Sequence, residues 1–144
     1  MAEQSEEDPR LVDGAIVVDD AVVAAVGKLT EAWETVQVAR GHLYAFHQLT
    51  GSADFTLEEA VEKFREAGHA EFADRLETEL LGRNVLPGRW TFQVVEDYEE
   101  TYHEPFTRFE REGRELTKGY PHLWEAGLKR ARRTPGRPGH EATP

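Results

Sequence analysis

Two stretches of the chain have residue types and spacing that could do chemistry. Glu-x-x-His occurs as Glu66-Ala67-Gly68-His69 and as Glu100-Thr101-Tyr102-His103. In a four-helix bundle, two such pairs and two further glutamates can hold a di-metal centre, provided all these side chains point inward. Each residue turns a helix by about 100°, so the apolar periodicity tests the requirement. The stripe around the second pair is centred on Val95, Tyr102 and Phe109, which puts His103 off the stripe and Glu100 on the solvent side. His69 lies at the edge of its own stripe beside Leu76, with Glu66 outside it. Both matches therefore read as solvated carboxylates near a histidine. No di-iron centre and no cofactor are expected, and His47, His69 and Glu71 remain only weak metal-ligand candidates.

Arg40 and His47 are more informative. They belong to the series Val22, Val26, Leu29, Trp33, Val36, Arg40, Leu43, His47, whose steps of four and three residues keep one stripe of a helix against a partner. A charge on such a stripe must be paired or it costs several kcal/mol. The second helix offers a polar line at i, i+4, i+8, made of Glu71, Arg75 and Glu79, and Arg40 is expected to meet Glu71 or Glu79. Three uses of this seam stay open. It is a structural polar network, or a small pocket of Arg40, His47, Glu71, Arg75, Glu79 and Tyr44 that holds an anion or a metal. In the third, His47 titrates as a switch. His42, Phe46 and Trp33 read as packing residues. Ser5 and Ser52 are the only serines, both in polar segments, and the chain has no Gly-rich phosphate loop and no His-Glu-x-x-His. The balance leans away from an enzyme.

Composition narrows the class. At 144 residues, 39% hydrophobic and 31% charged, the chain suits one soluble domain. It has no cysteine, no long apolar run and an acidic N-terminus, so a cytoplasmic protein without membrane contact is expected. The net charge is −11. Lys129, Arg130, Arg132, Arg133 and Arg137 against Glu141 give residues 129–144 a net +4, which leaves −15 on the remainder. A body this acidic repels phosphate backbones, which argues against nucleic-acid binding.

The elements that must position these residues read as an all-α antiparallel bundle of three substantial helices and a short fourth. Residues 1–18 are a polar tail and an extended segment laid on the bundle, 19–131 the helical domain, and 132–144 a disordered basic Pro/Gly tail. The first helix follows the N-cap candidates Asp19 and Asp20 and runs over 21–50. GSADF then turns the chain, and Thr56 with Glu59 forms a capping box for a second helix that ends at Gly82. Pro87-Gly88 marks a turn. The third helix carries Val95, Tyr98, Tyr102, Phe106, Phe109 and Leu116, with Pro105 kinking it or opening a new helix. A short fourth helix cannot cover a stripe about 30 Å long. A homodimer through Tyr98, Tyr102, Phe106 and Phe109 is therefore expected.

Pro135-Gly136-Arg137-Pro138, behind two arginines, is similar to the core of an AT-hook, but Pro135 stands where that strand has its first arginine, which removes half of the minor-groove contact. GHLYAFHQLTG, AGHAEFADRLETELLGRNVLPGRWTFQVVEDY and RRTPGRPGHE resemble a family of small all-helical proteins of high-GC bacteria with no known activity. That resemblance implies a stand-alone helical domain and no particular mechanism. Two functions are carried forward: an interaction or assembly module, and a small-ligand or metal-binding bundle that uses the polar seam.

Overall fold

The computed structural model describes residues 18–141. The segment at 1–18 read as tail and extended strap falls, apart from Val18, outside the described residues. Helix α1 spans Asp20–Glu66, α2 Ala70–Glu79, α3 Thr91–Tyr98, α4 Glu104–Glu115 and α5 Leu123–Arg132. A single π-helical turn, Glu99–His103, joins α3 to α4 without a break. The described residues hold no strand, only one bridge between Leu86 and Arg89.

The first correction concerns α1. It does not end at Thr50 but runs on through Gly51 and Ser52 to Glu66, 47 residues in all. The expected capping box does not form, because the Thr56 hydroxyl donates back to the Ser52 carbonyl, 3.1 Å away, inside the helix. Glycine in a helix interior is tolerated at about 1 kcal/mol relative to alanine, too little to break a helix extended on both sides. The break falls at Gly68, whose φ of +87° is the left-handed conformation that closes a helix. His69 N–H donates to the Phe64 carbonyl at 2.8 Å and Gly68 N–H to that of Arg65 at 3.1 Å. Those two bonds make a Schellman motif, and the His69 ring packs edge-on against Phe64 as the accompanying contact. Of the long second helix expected to Leu81, only α2 remains. The turn at Pro87-Gly88 is present, with Gly88 at φ +69° and Arg89 N–H 3.0 Å from the Leu86 carbonyl.

The chain divides into two compact units, Met1–Thr35 with Phe106–Pro144, and Val36–Pro105. In the first, the opening turns of α1 meet α4 through Trp33–Thr107 and Thr30–Glu110 contacts, so the two helices run in opposite directions. Two glycines permit this packing. A Cβ on Gly113 would lie 2.7 Å from Leu29, and one on Gly27 would lie 3.1 Å from Trp124 of α5. The segment after α5 was expected to be disordered, yet through Glu141 it forms turns. Thr134 N–H donates to His140 Nδ1 at 3.1 Å, and Gly139 N–H to Glu141 at 3.0 Å. Backbone amides of Glu141 and Gly139 hold the Glu141 carboxyl below its ordinary value.

The second unit buries Val36, Val61, Ala73 and Val95. Here α1 pairs with the π turn and α3, again in opposite directions, and with α2 through Arg65, which meets Asp74 at 2.6 Å and Glu77. The Asp74 carboxylate is the main reason the Arg65 guanidinium is held above its ordinary value.

The π turn is a local widening of the helix. Glu104 N–H reaches back five residues to the Glu99 carbonyl instead of four. Pro105, which has no N–H and would crowd the carbonyl four residues back, supplies the local reason for widening this turn. The residues turned in are His103, Glu110 and Thr117, the last two only 2% and 1% exposed. Of the apolar stripe read from the sequence, Val95 is buried and Tyr98 and Phe106 are half-buried, while Tyr102 at 50%, Phe109 at 59% and Leu116 at 67% are exposed.

Candidate functional site

The polar seam exists, with different partners from those expected. Gln37, Arg40, Tyr44 and His47 follow one another along one side of α1 because steps of three and four residues return to the same face. Arg40 Nε donates to Glu99 of the π turn, not to a carboxylate of α2. That bond is the main reason its guanidinium is held above its ordinary value. The Arg40 guanidinium also lies 5.4 Å from the centre of the Tyr44 ring, within cation–π range. Glu99 turns its other oxygen to His103 Nδ1 at 3.6 Å, and His103 Nε2 bonds the Gln37 amide oxygen. One turn further along α1, His47 Nδ1 lies 2.7 Å from the Thr91 hydroxyl at the start of α3.

The remaining expected seam residues do not join it. Glu71, Arg75 and Glu79 are exposed on α2, where Arg75 and Glu79 face each other at 3.9 Å. An exposed pair at this distance contributes little. The pocket drawn from Arg40, His47, Glu71, Arg75, Glu79 and Tyr44 is therefore not assembled. Arg40 is spent on Glu99, and its neighbours satisfy one another. Among the described residues, no group of three or more acidic or histidine side chains is arranged to hold a metal ion. Of the weak metal candidates, His47 bonds Thr91, His69 closes α1 against Phe64, and Glu71 is exposed.

A concave site does lie in the same unit. A cleft of about 840 Å³ opens between the second half of α1 and the segment joining α2 to α3. Phe55, Leu57, Leu80, Val85 and Trp90 form most of its wall. Gly51 lines it without a side chain and so leaves room in it. Asp54 anchors one edge by accepting from Gly82 N–H at 2.9 Å. Arg83 lines another edge, and no carboxylate pairs with it among the described residues. Thr91 belongs both to the cleft and to the seam, through its bond to His47. The expected self-association face is partly exposed: Tyr98 and Phe106 are half-buried, whereas Tyr102 and Phe109 are exposed. Tyr98 and Tyr102 sit 5.6 Å apart, ring centre to ring centre.

The sequence reading missed Glu99, Gln37, Thr91 and Glu110. Pro105 is the signal that could have found them. A proline deep in a helical stripe asks for a local widening upstream, which is where Glu99 and His103 lie. No family model, curated protein or solved structure matches the chain. No described helix is long and apolar enough to cross a membrane.

Proposed function

We propose that this chain is a small cytosolic interaction or assembly module that works as a homodimer. The carrying observation is the imbalance between inside and outside. Among the described residues, the buried apolar ones are small or medium, namely Val26, Val36, Val61, Ala73, Val95 and Ala126. Meanwhile Val38, Leu49, Phe55, Trp90, Phe109, Leu116 and Trp124 are exposed. Exposed apolar area on this scale marks a surface that is covered in the working state. A second copy supplies further helices without any new sequence, and an antiparallel bundle completed between two chains would bury what one chain leaves open. Tyr102 and Phe109 are candidate contacts of that assembly. Light scattering tests the reading. The expected mass is that of two chains, and a single-chain mass across the micromolar range would refute it.

A second reading rests on the cleft. Its volume falls in the range of small-molecule sites, and an apolar wall with a few polar groups at the rim is the usual composition of such sites. An apolar fluorescent probe should bind there with loss of affinity in Trp90→Ala. Equal binding by that variant would discard the cleft.

A further inference from the structure

The cleft in the Val36–Pro105 unit is held at both ends of the segment that joins α2 to α3. At one end Gly82 N–H donates to Asp54 of α1 at 2.9 Å. At the other, Arg89 Nε meets Asp97 of α3 at 2.6 Å, and Trp90 N–H donates to the Gln93 side chain at 2.8 Å. On the α1 side, a Cβ on Gly51 would meet nothing within 4 Å, so the cleft is open there. Its apolar wall is exposed, Phe55 at 74% and Trp90 at 52%. The arginine on its rim differs from the others of this unit. Arg40, Arg65, Arg75 and Arg89 each meet a carboxylate. Arg83 meets none among the described residues, and its Nη1 lies 3.5 Å from the Glu79 carbonyl, longer than an ordinary hydrogen bond. Asp54, the carboxylate that shares the cleft, is committed to Gly82 N–H. The chain has 28 acidic residues against 17 basic ones, so Arg83 is not left unpaired for want of acids.

We propose that the cleft takes a small apolar acid, a carboxylate on an aliphatic or aryl body, with Arg83 binding the carboxylate head. The inference rests on the cleft reading above and names its ligand class. An apolar body laid against Phe55, Leu80 and Trp90 removes from water a surface that the chain itself leaves exposed. A guanidinium is a planar fork that matches a carboxylate through two parallel hydrogen bonds. Asn84, which also lines the cleft, carries further donors. Charge selects the acid over its alternatives. A neutral apolar ligand would leave the guanidinium without a counter-charge. A phosphate monoester carries more charge than one guanidinium balances, in a cleft that already holds Asp54 on a chain of net charge −11. A single carboxylate balances Arg83.

NMR titration of the full chain with octanoate and with octanol separates head from body, because the two probes share an alkyl chain. Octanoate should bind about 10-fold more tightly or better, and Arg83→Gln should bring it down to the octanol level. Arg83 is exposed, so this variant should fold as the wild type does. Gly51→Leu should exclude both probes, since it puts a side chain into the cleft and replaces a helix-interior glycine by a better helix former. Equal binding of the two probes, or octanoate binding undiminished in Arg83→Gln, overturns the acid and leaves the cleft reading standing. Binding of neither probe, or binding by Gly51→Leu equal to that of the wild type, overturns both. If neither binds and Gly51→Leu turns a dimer into monomer, the cleft belongs to a second copy of the chain.

Discussion

Helix α1 meets a carboxylate in each of the two units, and the two carboxylates are treated differently. In the first unit Glu110 is 2% exposed; Thr30 donates to one oxygen at 3.1 Å, and Arg114 stands 3.1 Å from the other. That second oxygen and Arg114 Nε have no well-aligned hydrogen bond, so the charge is buried with an incomplete shell. In the second unit Glu99 stays open to solvent at one edge and is met by Arg40, with His103 beside it. Water can finish what the protein leaves undone at Glu99 but not at Glu110. A partner lost from a dry site leaves a bare charge, while one lost from a wet site is replaced.

The comparison breaks first at Arg114. Arg114→Ala should destabilise the fold by about 3 kcal/mol in urea unfolding, since it strands a buried carboxylate. Recovery on adding Glu110→Gln would show that the uncompensated charge is the cause. Arg40→Ala should cost less, about 1 kcal/mol, because the site is partly solvated. Equal losses at the two positions would erase the distinction between the units. Arg65→Ala should matter less again. Its effect should shrink further in about 1 M salt, where screening acts within about 3 Å. The smallest effect is at Glu141. Its carboxyl is held below the ordinary value of 4.5, so its contribution is present above that value and lost as pH falls through the lowered one. An NMR titration midpoint for Glu141 below 4.5 is expected, and one at or above it would remove the turn's hold on the carboxylate.

The fold was legible in part, and the reason can be read from particular residues. Helical spacing along α1 found the seam, because Arg40 and His47 do face the body of their unit. It did not find the end of the helix. GSADF contains turn residues, yet each is tolerated where the chain on both sides is helical, and the stop waits for the left-handed Gly68. Nor did it find Arg40's partner, because Glu71, Glu79 and Glu99 are all carboxylates and spacing alone does not rank them.

The sequence by itself determined that the chain is helical, that it turns at Pro87-Gly88, and which α1 residues lie on the packed stripe. These follow from local energies: apolar period, backbone freedom at glycine, the fixed φ of proline. Tertiary structure decided which faces of these helices are covered. Glu110 and Thr117 are buried, while Tyr102, Phe109 and Leu116 are exposed. Periodicity therefore names the faces of a helix, and the neighbours decide which of them is turned in.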